Sequence, residues 1–351
     1  MTSAGIDEKV ASQKGFNEVN PVNQKGGKTR PSYVLITPAR NERTYIEVTI
    51  QSVIRQTLRP LKWVIVSDGS TDGTDEIVEK YTAEHDWIEL VKMPARKERH
   101  FAGKVHAFNA GFARVRDSSY DVIGSLDADI SFDANYFAFL MDRFAENPRL
   151  GVGGTPFRED GSTYDYRFTS PEHVSGACQL FRRQCFEAIG GYIPVKGGGI
   201  DLIAVMTARM KGWQTRSFLE KTCQHHRAQG SAKHNGLAVW FKVGEKDYVL
   251  GGHPLWEVFR WVYQMTKKPF LLGGSLLFAG YLWAMLRSAE RSVSNELMQF
   301  RRREQLQRLR RFFARAIGMG NHNSKQSTDA EHTRQANVPP PAIPAAPASG
   351  E

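Results

Sequence analysis

Residues 121–129 have the sequence DVIGSLDAD, a short apolar run that ends directly in two aspartates. Three runs of similar character come earlier, at 33–37, 62–67 and 88–92, and amphipathic stretches separate them. This alternation predicts an α/β fold in which helices flank a mostly parallel, Rossmann-like sheet. Ligands of such sheets bind beyond the carboxyl ends of the strands, so the two aspartates are expected at a site.

The stretches between the predicted strands carry helix signals. Thr44, followed three residues later by Glu47, predicts a capping box at the start of the first helix. Thr74, which precedes two carboxylates, is expected to begin the second helix. Further helices are predicted from about Lys104 to Ala113 and from Asp201 to Lys211.

Polar residues cluster at 37–42, 67–74 and 127–131, and the predicted sheet brings these clusters to one edge. Asp127 and Asp129 suit a hard divalent cation, Mg²⁺ or Mn²⁺, because a metal keeps two close carboxylates ionised and bridges a diphosphate. The alternative is a solvated turn at a strand end, and an isolated Asp-x-Asp pattern does not decide between the two.

Two more residues have a chemical and a purely structural interpretation. The Asp68 carboxylate could accept a hydrogen bond from a nucleobase imide, or it could cap backbone amides in a strand-to-helix turn. Lys104, beside Gly103 at a predicted helix N-terminus, would add positive charge to amides that already suit an anion. The alternative for Lys104 is a solvated surface lysine.

The polar clusters form a longer pattern that resembles family-2 glycosyltransferases, which have the type-A nucleotide-sugar-binding fold. The resemblance covers about Tyr33 to Phe218. The chain also resembles bacterial enzymes of exopolysaccharide and glycolipid assembly. It rests on four motifs in the family's order and spacing: TPARNE at 37–42, SDGSTDGT at 67–74, Gly103-Lys104 with Asn109-Ala-Gly111, and LDAD at 126–129.

The resemblance implies roles for individual residues. Asp129 would be the principal metal ligand, and Asp127 would approach the ribose or the metal. Gly176, in the segment that borders the donor sugar, would let the backbone approach that sugar closely. The remaining implied donor contacts are Pro38, Ala39 and Glu42 in the nucleotide pocket, Asp68 at the base, and Lys104 at the base or phosphates.

Asp201 stands where the family usually shows a Glu-Asp pair, with Ile200 in place of the glutamate. By resemblance, Asp201 would be the general base that deprotonates the acceptor hydroxyl. The alternative is a helix N-cap, whose loss costs about 1 kcal/mol and leaves turnover intact. Further along, His226 is favoured over His225 to complete the metal site, and Arg227 suits a phosphate.

Composition restricts the partners and the compartment. The chain has 351 residues, and 47 Lys and Arg against 37 Asp and Glu give a net charge of +10, which favours an anionic partner. Cys178, Cys185 and Cys223 lack the close spacing of a zinc site or a redox dithiol, so we expect reduced thiols in a cytoplasmic protein. Residues 1–30 contain no apolar signal segment.

The predicted domain plan has four parts: a disordered lead-in at 1–30, a catalytic domain at 31–250, a helical membrane-associated extension at 251–317 and a disordered tail at 318–351. The extension combines an aromatic amphipathic segment, an uncharged run at 269–286 and an arginine-rich helix. A re-entrant or interfacial segment is favoured over a single span, because a span would export the arginine-rich helix. A buried core helix is the third option. We therefore expect the protein at the cytoplasmic side of the inner membrane.

The predicted function is the inverting transfer of a sugar from a UDP- or GDP-sugar to a hydroxyl of a saccharide or lipid-linked saccharide. A polyprenyl-phosphate sugar synthase is the rival within the fold, since an attacking phosphate needs no general base. A non-catalytic scaffold that binds membranes or nucleic acid is the rival of another class. The intact aspartates argue against it, and no nucleic-acid partner is expected.

Overall fold

The structure is a computed structural model that describes residues 24–25, 28–95, 101–159, 162–163, 170–195, 197–227, 236–267 and 269–316. The predicted tail at 318–351 and most of the predicted lead-in lie outside these ranges. Two short strands, β1 (Gln24–Lys25) and β2 (Lys28–Thr29), pair antiparallel within the predicted lead-in. Arg30 then bonds Asp142 of the main domain, with Nε 2.7 Å from Oδ1.

Seven strands of the described residues form the main sheet, in the order β12-β8-β11-β6-β3-β4-β5. Four of them, β6, β3, β4 and β5, are parallel neighbours, as the sequence predicts. β11 runs antiparallel to both β6 and β8, so the sheet is mixed. The strands are β3 (Tyr33–Ala39), β4 (Lys62–Asp68), β5 (Ile88–Met93), β6 (Val122–Leu126), β8 (Leu150–Gly154), β11 (Cys178–Arg182) and β12 (Gln214–Ser217).

A smaller sheet lies beside the main one and was not predicted from the sequence. It has the order β10-β9-β13-β7 among the described residues. Its strands are too short to show an alternating pattern. They are β7 (Ile130–Ser131), β9 (Phe157–Glu159), β10 (Ser162–Thr163) and β13 (Cys223–His225).

Helices cover both faces of the main sheet and form a C-terminal group. Their bounds are α1 (Ile46–Ile54), α2 (Thr74–Glu84), α3 (Phe101–Phe112), α4 (Tyr136–Glu146), α5 (Arg183–Ile189), α6 (Ile200–Met210), α7 (Gly236–Val249), α8 (Pro254–Met265), α9 (Leu272–Leu286) and α10 (Asn295–Ala316).

The predicted capping box at Thr44 does not form. α1 begins two residues later, and Tyr45 at its N-cap makes no side-chain cap. The Glu47 carboxylate instead accepts a hydrogen bond from the Tyr81 hydroxyl of α2, at 2.9 Å. A contact between helices therefore replaces the local capping interaction, whereas α2 begins at Thr74 as predicted.

The sheet separates two apolar cores. Trp63 of β4 lies fully buried on one face, where its indole Nε1 donates to Thr37 Oγ1 at 2.9 Å. Val64 and Ile123 face the other core, together with residues of α3 and α6. The three cysteines are buried and free, and burial raises the pKa of Cys185 and Cys223 to about 12. These thiols are unreactive at neutral pH.

α9 packs directly against α7, so α7 lies with the C-terminal helices although the predicted plan assigns it to the catalytic domain. Two glycines make this close approach possible. A Cβ atom at Gly280 would overlap the carbonyl oxygen of Phe241, and one at Gly244 would overlap that of Leu277. Among the helices that the structure describes, none combines the length and apolar character needed to cross a lipid bilayer.

A group of four charged residues, three of them buried and Arg260 partly exposed, joins α7, α8 and α10. Arg301 donates from Nη2 to Asp247 Oδ1 at 2.6 Å and from Nη1 to the Leu250 carbonyl at 2.7 Å. Arg260 pairs with Asp247 and lies 3.3 Å from Glu257 Oε1. Glu257 is wholly buried, and burial, partly offset by the charge of Arg301, raises its pKa to about 7.

The raised pKa of Glu257 predicts a loss of stability with rising pH. Below about pH 4.5 the carboxyl is protonated in both states. Between pH 4.5 and 7 it ionises in the unfolded chain first, so the folded state binds more protons and the free energy of unfolding falls. The full shift corresponds to roughly 3 kcal/mol, at about 1.4 kcal/mol for each pKa unit. Glu257→Gln should remove this slope in urea unfolding curves measured from pH 4.5 to 7.5.

Glu84→Gln, at the exposed end of α2, is the matched control and should keep the wild-type slope. An unchanged slope in Glu257→Gln would contradict the assignment.

Candidate active site

The loops after β3 and β4 are joined by hydrogen bonds. Asn41, with a left-handed φ of 56°, donates its backbone N–H to Ser70 Oγ at 3.1 Å, and its side chain accepts from Thr71 N at 2.9 Å. Glu42 N donates to Thr74 Oγ1 at 2.8 Å. The two loops form one rigid rim at the carboxyl edge of the sheet.

The residues with an implied nucleotide role lie on this rim. Pro38 and Ala39 end β3 and pair in register with Val66 and Ser67 of β4. Asp68 ends β4, and its carboxylate, 6% exposed, lies 3.8 Å from the guanidinium of Arg40. The structure therefore brings the predicted base-binding carboxylate next to the strand end that the resemblance assigns to the nucleotide.

Two aspartates and a histidine meet at the end of β6. One ligand atom each from Asp127, Asp129 and His225 lies within 4.8 Å of the others, and His225 Nε2 is 3.6 Å from Asp129 Oδ1. The other imidazole nitrogen, Nδ1, is 3.4 Å from Glu159 Oε1. Carboxylate oxygens and an imidazole suit Mn²⁺ or Mg²⁺, and a ligating histidine commonly has a carboxylate at its second nitrogen. The three residues fit a divalent cation.

Nearby basic side chains balance the negative charge of the two aspartates. Lys104, in the first turn of α3, pairs with Asp127, and Arg227 pairs with Glu42 while its Nε lies 3.8 Å from Asp129 Oδ2. Burial alone would lower the pKa of Lys104, but the nearby carboxylates, Asp127 foremost, together outweigh burial and raise the pKa. Burial and the Asp129 charge raise the pKa of Asp127, against the attraction of Lys104.

The structure differs from the sequence prediction over which histidine lies beside the aspartates. β13 ends at His225, whose side chain faces Asp129 and Glu159. The His226 imidazole points elsewhere: its Nε2 lies 2.8 Å from Ser131 Oγ, and its ring stacks on Tyr45. We therefore place His225, and not His226, in the candidate metal site. Adjacent residues of an extended strand point in opposite directions, which explains the separation.

Asp201 lies in the first turn of α6, close to Gly176. A Cβ atom at Gly176 would lie 3.1 Å from Asp201 Oδ2, so a side chain there would crowd the carboxylate. The N-cap of α6 is Gly199, in the left-handed conformation with φ of 92°, and not Asp201. The structure thus excludes the alternative that Asp201 is only a helix N-cap.

Sequence reasoning missed two buried residues that support Asp201. Gln179 of β11 is fully buried, and its Nε2 donates to Val174 O at 3.0 Å and lies 3.5 Å from Asp201 O. The Tyr192 hydroxyl donates to Gln179 Oε1 at 2.7 Å. This pair ties the start of α6 to the strand before it. A glutamine within an apolar strand run was the available signal, because a buried amide needs partners.

α6 is also held from its other end. Arg209 donates from Nε and Nη2 to the two carboxylate oxygens of Glu304 in α10, at 2.8 and 2.9 Å. Arg308 of α10 reaches Glu172, in the segment before Gly176. The C-terminal helix therefore contacts both segments that border the candidate base.

Comparison with known proteins identifies the domain. The family model described as Glycosyl transferase family 2 matches residues 34–198. This part of the chain belongs to glycosyltransferase family 2. The match contains every motif of the rim and ends just before Asp201.

Curated relatives agree with the family. The chain is 31% identical over 182 residues to a poly-β-1,6-N-acetyl-D-glucosamine synthase of Staphylococcus epidermidis, covering 51% of this chain and 41% of the relative. It is 32% identical over 136 residues to the synthase of the same name from Staphylococcus aureus strain COL, covering 38% and 31%. The chain thus spans less than half the length of these relatives.

A solved structure agrees with the glycosyltransferase fold. A mannosyltransferase from Pyrobaculum calidifontis, solved in complex with GDP-Man and Mn²⁺, superposes with a TM-score of 0.51 at 20% identity. The superposition covers 88% of this chain and 84% of that one. The fold is the type-A glycosyltransferase fold, with a mixed and mostly parallel sheet.

Replacement of the two histidines should separate their roles. His225→Ala should weaken Mn²⁺ binding by at least about tenfold, since it removes an imidazole ligand. His226→Ala, the matched control, should change the affinity less than about twofold. Electron paramagnetic resonance of free Mn²⁺, with UDP or GDP present, measures both. The reverse order of effects would restore His226 to the site.

The Gln179–Tyr192 pair makes a separate prediction about stability. Tyr192→Phe leaves a buried amide oxygen without its donor, which should lower the free energy of unfolding by about 1–3 kcal/mol. Tyr120→Phe is the control, because Tyr120 is buried and its hydroxyl bonds no polar group in the described ranges. Equal losses in the two variants, measured by urea unfolding, would show that the hydrogen bond adds nothing.

Proposed function

We propose that the protein transfers a sugar from a UDP- or GDP-sugar to a hydroxyl group, with inversion at the anomeric carbon. The observation that carries this proposal is the arrangement at the sheet edge. Asp127, Asp129 and His225 form a cluster that could hold a cation, and Asp127 N donates to Ala177 O, next to Gly176, whose Cβ position lies 3.1 Å from Asp201 Oδ2. A site for a diphosphate and a candidate base therefore lie on the same side of the sheet.

The donor is a nucleoside-diphosphate sugar. Pro38, Ala39, Glu42 and Asp68 line the rim where the nucleotide would bind, and Asp68 would accept a hydrogen bond from the base. The mannosyltransferase with this fold is described in complex with GDP-Man and Mn²⁺, and the curated relatives are named for a poly-N-acetylglucosamine product. These names support a nucleotide sugar as donor and do not distinguish the two bases.

Asp127, Asp129 and His225 would hold the divalent cation, Mg²⁺ or Mn²⁺. When bound, the cation supplies positive charge for the diphosphate. Lys104 adds charge at the same place, and Gly176 leaves space for the donor sugar beside Asp201. These residues bind and orient the donor so that its anomeric carbon faces the acceptor.

Asp201 would act as the general base. Its carboxylate takes the proton of the acceptor hydroxyl as the hydroxyl oxygen bonds to the anomeric carbon. The bond from that carbon to the nucleoside diphosphate breaks in the same displacement, and the diphosphate leaves with the electron pair. A single displacement inverts the configuration at the anomeric carbon.

The acceptor is proposed to be a saccharide, lipid-linked in the favoured case, in the assembly of a cell-surface polysaccharide or glycolipid. The names of the relatives support this class of product. A lipid-linked acceptor suits a protein at the cytoplasmic side of the inner membrane. The helical extension at 251–317 would supply the membrane contact.

Release of nucleoside diphosphate tests the proposal. The purified full chain is given UDP- and GDP-sugars with Mn²⁺ or Mg²⁺ and a saccharide acceptor extract, and one donor should turn over. Asp129→Ala should abolish the metal-dependent rate. Asp201→Asn should lower the rate by about 10²–10⁴-fold, as expected for loss of a general base, with nucleotide binding kept.

Asp117→Asn, on an exposed carboxylate far from the site, is the control and should keep the full rate. A full rate in Asp201→Asn with a phosphate acceptor would favour the polyprenyl-phosphate synthase. Failure to bind any nucleotide in the presence of metal would overturn the enzyme and favour a scaffold.

A further inference from the structure

α9 has two different faces. One face packs against α7 through Gly280 and against α8 through Gly274, whose Cβ position would lie 2.6 Å from the Trp261 carbonyl oxygen. The opposite face is exposed and apolar, with Leu272 at 56%, Trp283 at 52% and Leu286 at 77%. No charged residue lies between Leu272 and Leu286. An apolar helix thus has a whole stripe without a partner among the described residues.

Neighbouring segments extend this exposed apolar area. Phe270 and Leu271, between α8 and α9, are 58% and 59% exposed, and Leu271 has a left-handed φ of 61°. Leu255, Val258 and Val262 form an outward row on α8 at helical spacing. Scattered apolar residues are ordinary on a surface, whereas an extended apolar area of this kind marks an interaction site.

The charged residues around this area are mostly basic. Residues 254–288 contain a single carboxylate, Glu257, and it is wholly buried in the charged group described above. Lys267 precedes the exposed loop, and Arg287, which pairs with Glu245 of α7 at 2.8 Å, follows the exposed stripe. On α10, the exposed Arg310 and Arg311 stand beside the exposed Phe312 and Phe313. The area is apolar at its centre and basic at its border.

We propose that this face, formed by the exposed residues of α8, α9 and the loop between them, binds the surface of an anionic lipid bilayer. α9 would lie in the plane of the interface with Leu272, Trp283 and Leu286 among the acyl chains and the basic border at the headgroups. A second copy of the chain is the weaker occupant, because two such faces would bring their basic borders together in a protein of net charge +10. The proposal deepens the membrane part of the proposed function and rests on it.

Sedimentation with vesicles tests the surface. The full chain is mixed with vesicles of phosphatidylglycerol and phosphatidylcholine, or of phosphatidylcholine alone. We expect binding to the anionic vesicles that weakens with salt, and a loss of at least about tenfold in the double variant Trp283→Glu/Leu286→Glu. Leu61→Glu, at an exposed leucine of the catalytic domain, is the matched control and should bind like the wild type.

A fluorescent label at position 283 shows directly whether this part of α9 enters the bilayer. Its signal does not depend on a variant that loses vesicle binding. The native cysteines are buried, so Trp283→Cys can be labelled selectively with a polarity-sensitive NBD group. Its emission should shift to shorter wavelength and rise at least about twofold on anionic vesicles, and the same label at Leu61→Cys should not respond.

Three outcomes would overturn the proposal: no vesicle binding, equal binding by the double variant, or a label that stays in water. A concentration-dependent dimer that the double variant disrupts, without vesicle binding, would assign the face to a second copy. A further measurement separates the membrane proposal from the proposed enzyme activity: metal-dependent nucleotide binding by the double variant, without vesicles. Its loss would question the fold of the variant or the catalytic site, and its retention would limit the failure to the membrane surface.

Discussion

The candidate site depends on two carboxylates, of Asp127 and Asp129, which the fold keeps close together in a partly buried position although their charges repel each other. Asp127 and Asp129 follow a buried strand and cannot move apart, because Asp127 N bonds Ala177 O and Asp129 O accepts from His226 N. Their repulsion is offset by Lys104 on one side and Arg227 on the other. A bound cation would reduce it further, so the repulsion between these two carboxylates would favour the binding of a metal ion.

The parallel part of the sheet was predictable because each strand is a contiguous apolar run and each following loop is polar. β6 consequently ends at Leu126 as predicted, and β3 and β4 run two and one residues past their predicted ends, to Ala39 and Asp68. β11 was harder, since antiparallel insertion between β6 and β8 depends on pairing across 52 positions, from Cys178 to Leu126, and not on a local pattern. The failed cap at Thr44 has a similar cause: Tyr81, distant in sequence, binds the glutamate that the local rule assigns to the cap.

The site was predictable where a motif lies in one segment and less so where segments meet. His225 and His226 are neighbours in sequence, and only the direction of β13 decides which one reaches the aspartates. Gln179 and Tyr192 have no motif of their own, because their role is to fix the backbone of another residue. For Asp201, only the structure shows that Gly199 is the N-cap of α6 and that the aspartate lies one position inside the helix, in its first turn.

The Arg209–Glu304 pair has a consequence for how this chain can change over evolutionary time. It joins the helix that carries Asp201 to the last described helix, more than ninety positions away. A bidentate guanidinium–carboxylate pair tolerates neither lysine at one end nor a shift of register at the other. The C-terminal helices are therefore not a removable appendage that could be exchanged between relatives like a module. Insertions and deletions should accumulate at the loops between helices and leave the spacing of α6 and α10 intact, and the two halves should co-vary at these two positions.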